Sequence, residues 1–441
     1  MHYFYRIIVK RKVMKKIALL FFLAIGGMKD CLRASMVLIP MEESQKDHLK
    51  AYGLAYWVLS KGVEVDWLLN FRGGSFAFNY AKLIESECVI RGVSYEVIPD
   101  GSYTNILMEI ANPEANMDLV KLDKIPKIAV YSPSDKPHHP DLPWDDAVTL
   151  ALEYAEIPFD KLYDEEVLLD KLVLYDWLHV HHEDFTGQYG RFYGNYRTQP
   201  WYQEQVKYEE NKAQELGFAK VSQMKLAVAK KVKDYVIGGG FMFAMCSATD
   251  SYDIALAAQN TDICERMFDG DGAEPNMDKE LDYNQCLAFK DFKLSKNPME
   301  YEFSNIDATS PSNKRNVEEI MDFFTLFDFS AKWDPVPTML CQNHTKVVKG
   351  FMGQTTAFMK PFVKSDVLVM GESKALGEVR YIHGELGKGF WTFYGGHDPE
   401  DYRHYVGEEG TDLSLHPNSP GYRLILNNVL FPAARKKPQK T

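Results

Sequence analysis

Cysteine is scarce in this chain, with six in 441 residues, too few for a small scaffold held together by disulfides. Long apolar runs are missing too. Past the N-terminus no stretch approaches the roughly 20 consecutive apolar residues that span a bilayer, so no membrane span is expected in the body of the chain. Clustered Lys and Arg are absent from that body, and the formal net charge is −12. A phosphate backbone is gripped by clustered cations, which excludes nucleic acid as a main partner. The basic runs lie at the two ends, Lys10 to Lys16 and Arg435 to Lys440, and read as a targeting feature and a solvated tail over 431–441. No internal repeat or low-complexity tract is present. What remains is an ordinary globular composition, 46% hydrophobic and 25% charged, in a chain longer than one compact core needs, so two domains are expected.

At the N-terminus, Lys15 and Lys16 precede an apolar run from Ile17 to Ile25, then Gly26-Gly27, then a short polar stretch ending near Ala34-Ser35. Charge, short apolar core and small residues in that order make a secretory signal peptide. The expectation is an exported protein of the periplasm or cell envelope, with Met14 as its start and residues 1–35 as signal and upstream residues. Cys31 follows Met28-Lys29-Asp30, without the small and aliphatic residues of a lipoprotein signal. The other cysteines are Cys88, Cys246, Cys264, Cys286 and Cys341, an odd number that leaves at least one thiol free in an oxidising compartment. Cys264 and Cys286 bracket an Asp- and Gly-rich loop and are the candidate pair for a bridge.

The organisation is α/β. A smaller N-terminal domain, 36–124, shows strands over 36–39, 63–69 and 94–98 and helices over 47–60 and 80–91, stopped by Gly62 and Gly92. Strands separated by helices of that length predict parallel pairing. A second unit, 125–430, has strands over 127–131, within 172–180, over 241–245 and over 389–394. Its helices cover 145–156, 221–235 and 250–258, and 422–430 is a closing helix or strand. Residues 261–370, rich in Asp, Asn and Pro, read as an irregular insertion with some β-structure.

Three stretches carry candidate chemistry. In Gly238-Gly-Gly-Phe-Met-Phe-Ala244-Met-Cys246-Ser247-Ala248, small residues stand two positions either side of Cys246. A nucleophile on a tight strand-to-helix turn requires this, because larger side chains clash as the backbone folds back. The turn puts the sulfur at a helix N-terminus, where the dipole favours thiolate and the N–H of Ser247 can stabilise an oxyanion. The plain alternative is a small buried residue. The second stretch runs from a strand into Gly395-Gly396-His397-Asp398-Pro399-Glu400. It brings an imidazole to the sheet edge that Cys246 occupies, with Asp398 and Glu400 as candidate orienting carboxylates. In the third, His179-Val-His181-His182-Glu183-Asp184, the alternating His179 and His181 point the same way on an extended chain. They are compatible with zinc, with Glu183 or Asp184 adding an oxygen. Aromatic residues are dense from Phe185 to Tyr208 and either pack a core or stack on sugar or peptide.

The glycine run, apolar strand and Cys246, followed much later by Gly395-Gly396-His397 and Pro399-Glu400, resemble class I glutamine amidotransferases and their flavodoxin-like relatives, over about residues 125–430. The resemblance implies a doubly wound, flavodoxin-like parallel sheet and a triad of Cys246, His397 and Glu400. It also implies that Thr186 and Gly187 lie beside the nucleophile as pocket or oxyanion-hole residues. The whole chain, through Leu49 to Trp57, Val65 to Leu69, Arg72 to Phe76 and His182 to Gly187, is similar to an exported bacterial family commonly labelled asparagine synthetase B. ATP-dependent synthesis is not expected: the catalytic N-terminal Cys and the Ser-Gly-Gly-x-Asp-Ser loop are missing, and Arg72-Gly73-Gly74-Ser75 is only a partial echo. Ser247-Ala248-Thr249 fills the space where amidotransferases carry a substrate-holding Gln, and two residues rather than one separate His397 from Glu400. The expected reaction is hydrolysis or transfer at an amide through a Cys thioester, without a cofactor. The competing expectations are a non-catalytic envelope protein holding a peptide or glycan in the same crevice, and a zinc-dependent hydrolase using His179 and His181. The expected partner is a small molecule, peptide or glycan, and the oligomeric state is left open.

Overall fold

The computed structural model describes residues 34–132, 146–334, 336–405 and 407–435. Most of the signal segment, Asp145, and the end of the basic tail lie outside the described residues.

Two sheets organise the chain. The first contains β1 (Ala34–Ile39), β2 (Val65–Leu69), β3 (Ser75–Asn79), β4 (Glu96–Pro99) and β5 (Asp118–Leu122), in the order β4-β1-β3-β2-β5. Between them run α1 (His48–Ser60), α2 (Lys82–Arg91) and α3 (Asp100–Ala111). Asp47 caps α1 by accepting the Lys50 N–H at 2.8 Å, and Gly92, at φ +73°, closes α2. Every pairing in this sheet is antiparallel, which corrects the parallel pairing expected from the helix-separated strands. A crossover helix makes parallel partners only of strands that become neighbours, and β3 stands between β1 and β2. The chain enters β3 through a turn in which Asn70, Arg72, Gly73 and Gly74 all have positive φ.

The larger sheet contains β6 (Ile128–Tyr131), β7 (Asp160–Leu162), β8 (Trp177–Val180), β9 (Phe241–Met245), β10 (Phe323–Leu326), β11 (Val347–Lys349), β12 (Phe358–Met359), β13 (Leu368–Ser373), β14 (Glu378–Leu386) and β15 (Gly389–Tyr394). Its order is β11-β10-β13-β14-β15-β9-β8-β6-β7, with β12 on β14. From β15 to β7 the pairings are parallel, and from β11 to β15 they are antiparallel. The fold is mixed α/β, and the stretch expected as an insertion supplies β10 to β12 and part of β13.

Helices α4 (Ala147–Tyr154), α5 (Pro200–Glu215), α6 (Val221–Gly238), α7 (Ser247–Ala257) and α8 (Pro420–Leu430) complete the unit, so the closing segment is a helix. Side chains alternate across β9. Phe241, Phe243 and Met245 enter a core shared with α4, α8 and the first sheet, while Met242 and Ala244 enter one shared with α6 and α7. The first of these cores runs unbroken from Trp67 and Phe76 to Trp177 and Phe243. Arg423 on α8 stitches the two sheets together, donating to Met41 O at 3.0 Å, to Tyr52 Oη at 3.1 Å and to Gly73 O.

The thiols of Cys264 and Cys286, the candidate pair, are free and not bridged. Each is satisfied locally at 3.3 Å, Cys264 Sγ on Thr186 O and Cys286 Sγ on Asp253 O. Of the aromatic run, Tyr189, Phe192 and Tyr202 pack a small core with Cys264 and Phe268. Among the described residues no helix is long and apolar enough to cross a membrane.

One buried ion pair straps a functional segment to this frame. Asp322, fully buried, accepts two hydrogen bonds from Arg380 at 2.7 and 2.8 Å and one from Arg315 at 2.8 Å. Its backbone carbonyl takes the Gly350 N–H at 2.7 Å, and Arg380 also donates to Phe351 O and Thr356 O. Residues 350–356 are thereby tied to β14. Asp322→Ala leaves the buried Arg380 guanidinium without a carboxylate, while Arg315 keeps Glu378 at 2.8 Å, with an expected cost of about 3–5 kcal/mol, read as a lowered midpoint of urea unfolding. A loss below about 1 kcal/mol, the worth of an exposed pair, would show that the strap is not what holds the segment.

Candidate functional site

Parallel strands deliver whatever follows them to one edge of a sheet. Here His181 and His182 follow β8, Cys246 follows β9, and Gly395-Gly396-His397 follows β15. The chain passes from β6 out to β7 and back across to β8, so the connections diverge between β6 and β8 and leave a crevice at their carboxyl ends.

Cys246 occupies φ +51°, ψ −139°, a conformation L-residues rarely adopt, in the turn from β9 into α7. The turn is anchored on both sides. The Cys246 N–H donates to Gly396 O at 3.2 Å, and the Cys246 carbonyl accepts from the N–H and hydroxyl of Thr249 at 3.2 and 2.7 Å. Backbone N–H groups of Gln354, Ser247 and Thr355 converge on the sulfur. Burial still wins and pushes the thiol up to about 11 against their opposing pull, which corrects the expected resting thiolate. Ser247 stands where the sequence placed it, at the sulfur and on the cavity wall.

Gln354 and Thr355 escaped the sequence reading. Met352 O accepts the His397 N–H at 2.9 Å and Thr355 O accepts the Gly396 N–H at 2.7 Å. A Cβ on Gly353 would lie 2.7 Å from the His397 nitrogen, so only glycine permits this approach. The Gln354 amide donates to Gly190 O and Tyr301 O at 2.6 and 2.8 Å, and the Thr355 hydroxyl donates to Asp250 at 2.7 Å. Asp250, behind Cys246 on α7, is pushed up to about 7 by burial.

Imidazoles fill the other side. His182, part of the third candidate stretch but given no role there, offers a ring nitrogen within 4.8 Å of both Cys246 Sγ and a ring nitrogen of His181. The His181 and His182 rings stack at 4.1 Å, and His397 packs 4.9 Å from the first and 4.7 Å from the second. His404 stacks on His397 at 4.7 Å. His397 therefore shares the cleft of Cys246. Burial, then His182, His181 and His404, hold it well below the usual histidine range, so its ring is neutral.

Glu400 does not complete a triad with it. Its carboxylate meets His416 Nδ1 at 3.2 Å, because the turn after His397 sends that side chain elsewhere. Asp398 is fully buried and accepts the Tyr422 hydroxyl and the Glu400 N–H, both at 2.8 Å, fixing that turn.

The carboxylate serving the imidazoles is Asp146. It caps α4 through the Val148 and Thr149 N–H groups at 2.8 and 3.1 Å, and meets His179 Nε2 at 3.0 Å and His181 Nδ1 at 3.1 Å. Burial opposes its charge, but the two imidazoles override burial and hold it well below the usual carboxylate range. His179 and His181 thus point the same way, as their alternation implied, but onto a carboxylate. The other nitrogen of His179 lies 3.2 Å from Phe243 O. Glu183 accepts the His181 backbone N–H at 2.6 Å and is pushed up to about 8 by burial and by Asp146. It joins no group with metal-ligand geometry among the described residues, which corrects its expected ligand role. Thr186 and Gly187 are corrected too. Thr186 is tied to Asp184 at 2.7 Å, and Gly187 turns at φ +79° against the Ser222 backbone. The N–H groups expected from them come from 354–355 instead.

These groups line a cavity of about 310 Å³, bounded by Cys246, Ser247, His182, His397 and Gln354, with Tyr196 and Tyr301 in its wall.

No protein-family model matches the chain, and no curated protein does. Among solved structures, the cytoplasmic protein STM3548 from Salmonella typhimurium is 12% identical with a TM-score of 0.34, over 70% of this chain and 100% of its own. The cytoplasmic protein STM1381 from Salmonella typhimurium LT2 is 10% identical with a TM-score of 0.34, over 70% of this chain and 99% of its own. The GH42 β-galactosidase Gan42B is 9% identical with a TM-score of 0.25, over 62% of this chain and 28% of its own. Likeness at this level constrains neither fold nor chemistry.

A thiol raised to about 11 is protonated at neutral pH, and only its thiolate is alkylated. The rate of iodoacetamide modification of Cys246, followed by peptide mass spectrometry, is expected to climb about tenfold per pH unit between pH 7 and 10. A rate already level at pH 7 would mean that burial does not control this sulfur.

Proposed function

We propose that this protein is a cysteine-dependent acyl hydrolase or acyl transferase, acting on an amide or related carbonyl through a thioester on Cys246. The observation that carries the reading is the strained turn at Cys246, with its sulfur on the cavity and backbone N–H groups converging on it. Strain of about 1–3 kcal/mol persists where the surroundings over-determine it, and such sites cluster where chemistry occurs. The strand-to-helix nucleophile turn is one of them.

Because the thiol rests neutral, its proton must leave as the sulfur attacks. His182 takes that proton while Sγ adds to the carbonyl carbon. The oxygen of the tetrahedral intermediate lies one bond further from the sulfur than the carbon and meets the N–H groups of Ser247, Gln354 or Thr355. Collapse expels the amine, which leaves with the proton held on His182. Water, deprotonated by the same ring, then releases the acid and restores the thiol. In this reading Asp146 orients His181 beneath the stacked His182, a part that Glu400 was expected to play.

We read the parallel half of the larger sheet as doubly wound and flavodoxin-like. Numbered along the chain, its strands β7-β6-β8-β9-β15 follow the order 2-1-3-4-5 of that class, and helices cover both faces. The glutamine-amidotransferase likeness belongs with this reading, in a form whose carboxylate is Asp146. Export to the periplasm or envelope is proposed on residues 15–35 of the sequence alone.

The test is an acyl adduct. With activated esters and anilides as probes, the Cys246 peptide is expected to gain the acyl mass, and Cys246→Ala to gain none. His182→Ala is expected to slow acylation by about 10²–10⁴-fold, whereas Glu400→Gln leaves the rate within about twofold. An adduct that persists in Cys246→Ala, or no adduct from any probe, removes the thioester reading.

A further inference from the structure

The imidazole cluster contains ring nitrogens to which the thioester reading assigns no proton or bond. His181 is 1% exposed. Its Nδ1 lies 3.1 Å from the Asp146 carboxylate as an ionic contact, and both of its ring nitrogens are buried without a hydrogen-bond partner. A histidine turned by a carboxylate on one nitrogen, so that the other is presented, is the arrangement that orients imidazoles toward metal ions. One ring nitrogen each of His181 and His182, together with Cys246 Sγ, lie within 4.8 Å of one another.

We propose that His181 Nε2, His182 and Cys246 Sγ bind one zinc ion, with Asp146 behind His181 and the fourth coordination position open to the cavity. Two imidazoles and a thiolate suit zinc, whereas magnesium and calcium require oxygen ligands. Tetrahedral bonds of about 2.0–2.3 Å set ligand atoms roughly 3.4–3.8 Å apart, so the side chains close by about an ångström. That movement falls mainly on His182, which must also turn out of its near-parallel stack on His181, because the turn carrying Cys246 is pinned to Gly396 and Thr249. The neighbouring group of Asp146, His179 and His181 is not the site. Both nitrogens of His179 are engaged, and Asp146 is committed to capping α4. Of the ligands expected from the sequence, His181 alone is retained.

Zinc holds the sulfur as thiolate, with the thiol proton passing to solvent, and so withdraws it from attack on a carbonyl. Metal and thioester are alternative uses of one sulfur, and the metal site stands without the acyl chemistry. The test uses the full chain, stripped with EDTA and titrated with zinc sulfate in a calorimeter. One equivalent is expected to bind, with affinity lowered at least tenfold in Cys246→Ser and about 10–100-fold in Asp146→Asn. Two measurements on the unmutated protein stand if a variant misfolds. Cobalt(II) gives a thiolate charge-transfer band, and zinc protects Cys246 from iodoacetamide until EDTA is added. No stoichiometric binding, undiminished binding in Cys246→Ser, or alkylation indifferent to zinc overturns the proposal. A chain that binds zinc without forming an acyl adduct keeps the site and loses the thioester reading, and the converse result does the reverse.

Discussion

The parallel pairing of β9 with β15 is the constraint on which the chamber depends. Ala244 lies opposite Phe393 and Met245 opposite Tyr394, and just beyond the last of these pairs the Cys246 N–H reaches Gly396 O. Two parallel strands end at the same edge, so a sulfur and an imidazole remote in sequence meet without any loop having to find the other. The register has little freedom. A Cβ on Gly389 would lie 2.1 Å from Val236 O, and a one-residue slip would exchange every side chain of β15 between two different cores. β8 extends the same logic by adding His181 and His182 beside the pair.

Burial then decides the charge of what has been gathered. The Cys246 thiol and the Asp250 carboxyl are raised and the His397 ring is lowered, each chiefly by loss of water. All three shifts favour the neutral form. Asp146 is the exception, because two imidazoles lie against it. The sulfur, the Asp250 carboxyl and the His397 ring are therefore held in their neutral forms, with the Asp146 carboxylate set behind His181.

The legible parts of the site were those encoded in side chains at regular spacing. Ala244 and Ala248 around Cys246 announced the turn, and Gly395-Gly396 announced the edge position of His397. The α/β class followed from apolar periodicity, and the long helix from the pattern ahead of Gly238. Other features left no such trace. The N–H donors at 354–355 are backbone groups, indifferent to residue type, in a stretch with no period to read. His182 lies past the end of β8, where strand alternation no longer fixes a side chain's direction. Glu400 shares that difficulty, since only the turn geometry at Asp398 decides which way it points. Asp146 falls at the start of the helix expected over 145–156, but its partners His179 and His181 are fixed by the packing of β6 against β8. In the first sheet, the short Ser75-Phe-Ala-Phe-Asn79 strand separates two others, and strand order is not written in local pattern.

The chamber has two builders. Its floor comes from the ends of parallel strands, and much of its roof comes from 301–309 and 352–354, the stretch that reads as irregular sequence. The floor is locked by sheet register, so a change of one residue there disturbs the whole. Tyr301, Glu302, Thr309 and Met352 belong to connecting segments, which accept substitution without shifting a strand. In the proposed reading, selectivity and reactivity are encoded in separate lengths of chain, and what the chamber admits can drift while the sulfur stays where the sheet put it.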